Sequence, residues 1–371
     1  MRRILAVLIS AVLCVTMLCS CAGNDSSKDS SNTETITITD HTGAKVTVKK
    51  NIERIAVANI LPLPSVISVF FDSADKLVGI APQSMSAAEN SLLGELYPAL
   101  LKAETGFFDG TTINVEELIA LNPDVVFYNA DTPAVREAIE SAGIPAVAIS
   151  ARKWENDASE TLNQWLDLLG EMFEENDKAK LCRERSDKAK ALINERLSAR
   201  DTEQKMKILY LYQYSETAIA VPGNASFGQW WSTFVGGVNV SGELEGTNGV
   251  EVNMEQIYKW NPEIIFITNF NSAYPDDLYN NTFGSFDWSG ISAVQNKRVY
   301  KTPLGMYRSY TPGVDTPITL LWTAKCVYPE LFSDIDITAE TISYYKDVFG
   351  IELTSEQAER IFSPDSDAAA W

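Results

Sequence analysis

Residues 113–127 and 252–266 carry one pattern written twice, 139 positions apart. Ile113-Asn-Val-Glu-Glu-Leu-Ile-Ala-Leu-Asn-Pro-Asp-Val-Val-Phe127 matches Val252-Asn-Met-Glu-Gln-Ile-Tyr-Lys-Trp-Asn-Pro-Glu-Ile-Ile-Phe266, and eleven of the fifteen pairs are identical or chemically similar. That spacing is too long for a solenoid, whose units run about 20–50 residues, and fits one supersecondary unit in each of two similar lobes. The local physics is the same in both copies. Asn114 and Asn253 can N-cap a short helix, with Glu117 and Gln256 three positions on to close a capping box. Asn122-Pro123 and Asn261-Pro262 then end the helix, because the residue before proline is pushed out of the α region. A buried strand follows at once in each copy.

The rest of the body fits this plan. Its 371 residues exceed the ~250–300 at which single cores stop growing. Ile36-Thr-Ile-Thr39 and Lys45-Val-Thr-Val48 alternate around Asp40-His-Thr-Gly43, which is a hairpin signal. His41, in that turn, is expected to be a solvated surface residue. After Arg54 the rhythm becomes α/β: strands at 55–60, 76–80, 124–128 and 146–150, with helices over 64–71 and 133–142. From 156 to 199 there is no Pro and one Gly, Gly170. That run predicts one or two long helices reaching roughly 60 Å, with any kink near Gly170. Strands resume at 207–213, 264–269 and 298–301. The domains so read are 36–155, a connecting helix over 156–200, and 201–371.

The N-terminus reads as targeting rather than fold. A basic start precedes an apolar run from Ile4 to Leu18, a signal peptide over 1–20 and too short to span a membrane. Leu18-Cys19-Ser20-Cys21 resembles a bacterial lipobox, which makes Cys21 the lipidated first residue of the mature chain; an ordinary signal peptide with Cys21 incidental is the alternative. Residues 21–35 form a polar, flexible tether. Cys182 and Cys326 sit in helix-like contexts in different halves, so their pairing stays open and the cores are expected to hold the body together.

Charge and histidine count narrow the function. The chain has 30 Lys and Arg against 50 Asp and Glu, for a net −20, and a single His. Cutting after residue 20 removes Arg2 and Arg3 and no acid, leaving −22. Nucleic acid and anionic membrane surfaces reward basic clusters and are excluded as partners. One His argues against chemistry that needs a pair of histidines, a His-rich metal site or a HExxH helix. No GxSxG, P-loop, GxGxxG or paired CxxC appears.

The sequence resembles the substrate-binding lipoproteins of bacterial ABC importers that carry iron–siderophore complexes, haem or cobalamin. The matching residues are Thr39-Asp-His-Thr-Gly-Ala-Lys-Val-Thr-Val48 with Ile52-Glu-Arg-Ile55, both repeat units, Trp288-Ser-Gly-Ile-Ser-Ala-Val-Gln-Asn-Lys-Arg-Val-Tyr300, and Leu320-Leu-Trp-Thr-Ala-Lys-Cys-Val-Tyr-Pro-Glu-Leu-Phe332. The resemblance implies an α/β fold: two Rossmann-like lobes joined by one long rigid α-helix, with the ligand cleft between them. It implies a monomer without cofactor, tethered outside the cell membrane by Cys21, delivering a small-molecule metal chelate to an ABC permease and its ATPase. It also implies that Glu116 and Glu255 face arginines on that permease. The residues agree, since the capping boxes occupy Glu117 and Gln256 and leave Glu116 and Glu255 pointing outward. The bland alternative is that both acids merely complement their helix dipoles.

Ligands in open α/β sheets lie beyond the carboxyl ends of the strands. The loops there are rich in aromatics and amides, as a concave site for a bulky ligand requires. The ligand-binding candidates are Asn59, Gln83, Tyr128, Tyr212, Trp230, Trp231, Asn269, Tyr307 and Arg308. Arg308 is the cation suited to a carboxylate, catecholate or oxyanion. A siderophore leads, a corrinoid follows, and haem and a bare oxyanion come behind. From another class, a secreted hydrolase working through two carboxylates is the rival; its acids would converge in the cleft about 5–10 Å apart.

Overall fold

A computed structural model describes residues 34–175, 177–200 and 204–364. The proposed lipid-bearing Cys21 and its tether to Thr33 lie outside the described residues. Among those described, no helix is long and apolar enough to cross a membrane.

Thr35–Thr39 (β1) and Lys45–Lys49 (β2) form the expected antiparallel hairpin, and its inward residues Ile38 and Val48 are buried. The first lobe's sheet is built from Ile55–Val57 (β3), Leu77–Ile80 (β4), Val125–Asn129 (β5) and Ala146–Ile149 (β6), all parallel, in the order β4-β3-β5-β6. In the second lobe Lys207–Leu211 (β7) is followed by Gln213–Tyr214 (β8), Ile219–Val221 (β9), Val238–Asn239 (β10), Val250–Val252 (β11), Ile264–Ile267 (β12) and Val299–Lys301 (β13). Its parallel sheet runs β10-β7-β12-β13. In both lobes the second strand of the sheet lies outside the first, and the third and fourth follow on the other side. The repeat therefore holds at the level of topology, and in each copy it supplies the helix and strand of the third position. Helices cover both faces of these sheets, so β3, β6 and β12 are buried at every residue and read as continuous apolar runs. A small antiparallel sheet, β11-β9-β8, has no counterpart in the first lobe.

The proline-free run from 156 to 199 is two helices, Ala158–Phe173 and Asp177–Ser198. Gly170 stays helical and buried, so its conformational freedom goes unused. The first helix stops four residues later, at Glu174 in the left-handed region with φ 55°. The second folds back along the first: Arg183 pairs with Glu160 and Asp167, and Lys190 with the N-cap Asp157. The 60 Å reach expected for one span is thus halved, and Asp177–Ser198 is the long helix that leads into the second lobe.

The tail crosses back. Tyr344, Tyr345, Val348, Phe349, Leu353 and Ile361 pack in the cluster that contains β3, β5 and the helix Leu63–Phe71. The last part of the segment assigned to the second lobe thus shares the first lobe's core.

His41 is half-buried rather than solvated. Its Nδ1 accepts the Ser150 N–H at 3.0 Å, and its ring meets Trp154 edge-on at 4.9 Å. Cys182 and Cys326 are both free.

Candidate functional site

The carboxyl ends of three neighbouring strands of the second lobe meet at one place. Tyr212 follows β7, Phe270 follows β12, and Tyr307-Arg308 follow β13. The rings of Tyr212 and Phe270 are 5.1 Å apart, and Tyr310 lies 5.5 Å from Tyr212. The Arg308 guanidinium sits 5.2 Å from the Phe270 ring and 5.6 Å from the Tyr307 ring, and Nη1 donates to the Tyr307 hydroxyl at 3.5 Å. Arg308 is wholly buried. A guanidinium keeps its charge when buried and presents a planar fork of donors, so it suits an oxygen-rich anion. Burial pushes the Tyr212 hydroxyl up to about 12, helped by Tyr307 and opposed by Arg308 and Arg152. Arg152, on the exposed loop after β6 of the first lobe, is a second cation whose charge acts on the Tyr212 hydroxyl, and composition alone did not single it out.

The loop carrying Arg308 is held from both lobes. Asp315 accepts the Met306 N–H at 2.8 Å and the Tyr345 hydroxyl, and burial pushes its carboxyl up to about 6. The Leu92 N–H of the first lobe donates to Gly305 O at 3.1 Å. Only glycine fits at 305, since a Cβ there would meet Asp315 Oδ1 at 2.1 Å. Lys301 holds the neighbouring loop by donating to the carbonyls of Thr268, Asn271 and Ala273 at 2.7–3.0 Å. Burial pulls its pKa down to about 7.

The other ligand candidates divide. Asn269 is buried beside this group; Thr302 Oγ1 donates to its Oδ1 at 2.7 Å, and its Nδ2 has no partner. Gln83 likewise has a buried Oε1 without a partner. Tyr128 turns into the first lobe's core with Leu118, Val135 and Ile139, near Arg136. Asn59 ties β3 to β5, donating to Thr132 Oγ1 and accepting the Asn129 N–H. Trp231 is core, its indole N–H donating to Tyr310 O at 2.9 Å, and Trp230 stacks on Phe234 of its own helix. Tyr128, Asn59, Trp230 and Trp231 each have a packing or hydrogen-bonding role where they stand. Tyr310, Asp315 and Tyr345 belong to the site's support and carry no local motif.

Glu116 and Glu255 are exposed at the second position of Val115–Leu121 and Met254–Trp260. Asn114 and Asn253 cap those helices, accepting the Glu117 N–H at 3.3 Å and the Gln256 N–H at 2.9 Å. The reciprocal arm of the capping box is not formed: the Asn114 N–H donates to Phe107 O, and the Gln256 amide donates to Glu243. Asn122 and Asn261 end the helices in the left-handed region, which asparagine tolerates. Among the described residues, no three His, Cys, Asp or Glu side chains converge as a metal site would require.

A family model described as periplasmic binding protein matches residues 70–304. The molybdate-binding protein MolA of Haemophilus influenzae is 25% identical over 349 residues, 87% of this chain and 93% of that one. A periplasmic solute binding protein from Veillonella parvula is 31% identical with a TM-score of 0.78, covering 90% of this chain and 98% of that one. CeuE of Helicobacter pylori, solved as a nickel–histidine complex, shares the fold at 23% identity with a TM-score of 0.67, over 89% and 99% of the two chains. These are solute-binding proteins and not enzymes, which removes the two-carboxylate hydrolase. The chain belongs to the periplasmic binding protein family, the extracytoplasmic solute-capturing components of ABC importers.

Proposed function

We propose that this chain, anchored by a lipid on Cys21, captures an anionic metal chelate of the ferric siderophore class and hands it to an ABC permease through Glu116 and Glu255. The observation that carries the ligand class is the buried Arg308 guanidinium framed by Tyr307 and Phe270, with Tyr212 against Phe270 and the charge of Arg152 acting on Tyr212 from the other lobe. Aromatic faces suit an organic shell, and the paired cations suit the negative charge that a catecholate or hydroxamate complex brings. Capture involves no chemistry on the ligand, and the lobes close modestly because the Arg308 loop is already tied to both.

A small oxyanion is the second reading. It is favoured by the complete burial of Arg308, which suits a compact anion, and by the likeness to a molybdate-binding protein. A corrinoid, whose edge carries mostly neutral amides, makes less use of cations, whereas haem would bring two propionate carboxylates to them.

Tryptophan-fluorescence titration of the soluble body with ferric siderophores, molybdate, cobalamin and haem discriminates these ligands. Arg308→Ala is expected to weaken the bound anion at least tenfold, about 1.4 kcal/mol. An unchanged dissociation constant removes Arg308 from the site. For the anchor, a Cys21→Ala chain should leave the membrane fraction, and its retention there would refute lipidation.

A further inference from the structure

Two apolar side chains stand exposed at matching places of the repeat. The large hydrophobic residues open to solvent among those described are Leu101, Ile119, Leu181, Val238 and Tyr258. Ile119 and Tyr258 are separated by the offset of the repeat, and they are 54% and 42% exposed. Each follows the acid, Glu116 or Glu255, by three residues, so acid and apolar group share one helix face. The inner faces of the same helices are filled by other residues: Leu118 and Leu121 in one, Ile257 and Trp260 in the other. Folding of either lobe therefore does not require an apolar residue at 119 or 258. Tyr258 is held in place as well, its hydroxyl donating to Asp287 O at 2.6 Å.

We infer that Ile119 and Tyr258 form the apolar half of a two-point docking surface for the membrane permease, each packing beside a basic residue that pairs with Glu116 or Glu255. This rests on the permease-docking role proposed for the two acids, and it states what the partner must offer: on each of two similar halves, a cation next to an apolar recess. The pairing of charge and apolar surface at both ends of a duplicated unit fits a partner that is itself two-fold. It fits a second copy of this chain poorly, since two such faces would bring acid against acid.

The two halves of the surface differ in range. The acids act over a Debye length of about 10 Å at 0.1 M salt, steer the encounter and are screened. The apolar contact acts only once formed, is not screened, and governs departure.

Binding to the cognate permease–ATPase complex in nanodiscs, followed by biolayer interferometry from low salt to about 1 M, where the Debye length is about 3 Å, separates them. Ile119→Ser with Tyr258→Ser should raise the off-rate roughly tenfold or more. Its on-rate and its affinity for the ligand identified by titration should stay at wild-type values, and its melting temperature should fall only by what loss of the Tyr258–Asp287 bond explains. Tyr258→Phe, which keeps the ring, should retain the wild-type off-rate. An unchanged off-rate in the double serine variant overturns the inference, as does an equal loss in Tyr258→Phe and Tyr258→Ser. So does sedimentation showing wild-type dimers that the serine variant abolishes, because a second copy would then cover the face. Glu116→Ala with Glu255→Ala should slow the on-rate and flatten its salt dependence. If it does not, while the serine variants behave as stated, the ionic role of the acids fails and the apolar contact stands.

Discussion

His41, the chain's one histidine, is a reporter of how the N-terminal hairpin docks. Its ring accepts a backbone N–H from the end of β6 and lies against Trp154. Burial is the main reason its pKa falls from 6.5 to about 4, with Lys153 pushing the same way. The sign follows from which state holds the proton. Between pH 6.5 and about 4 the unfolded chain binds a proton that the folded chain refuses, so stability falls as pH falls through that window. Below about 4 both states are protonated and this contribution no longer changes. His41→Gln should flatten the fall of melting temperature across that range, and the imidazole signal of the wild type should titrate near 4. A midpoint near 6.5 would mean that the ring is solvated after all. Lys301 shows the same principle in a cation, since three carbonyls hold an ammonium that burial alone disfavours.

At the scale of elements, the two copies of the repeat are built by the same few local interactions. Asn114→Ala and Asn253→Ala each remove an N-cap acceptor and should cost about 1 kcal/mol in urea unfolding. The caps lie in separate lobes without shared partners, so the double variant should cost the sum. A cost near zero in either would mean that water replaces the cap without loss. These helices were legible because caps, αL asparagines and prolines act within one turn. The hairpin was legible because period two needs only adjacent residues. Strands β8–β11 were not, since two- and three-residue strands carry no period. The break at Glu174 was missed for a related reason: Gly170 is the conspicuous residue, but its packing keeps it helical, and a glutamate takes the left-handed cap instead.

For the whole molecule, the tail decides how the lobes behave together. Tyr345, inside the first lobe's core, donates to Asp315, which in turn holds the loop of Arg308. With such ties, calorimetry should show one unfolding transition, with van't Hoff and calorimetric enthalpies equal. Tyr345→Phe should destabilise that transition by about 2 kcal/mol, the cost of removing a hydrogen bond to a buried charged group. Two separate transitions in the wild type would show that the tail does not couple the lobes. The sequence alone pointed to two α/β lobes sharing one helix–strand unit, with Glu116 and Glu255 at matching positions in it, because these follow from short-range periodicity and N-caps repeated at a fixed spacing. Only the tertiary structure decided which aromatics and amides meet Arg308, and that the C-terminal tail completes the first lobe. An aromatic at or near a strand end has the same local signature whether it fills a core, as Tyr128 does, or frames a cation, as Phe270 does. Contacts among strand ends from distant parts of the chain make that choice.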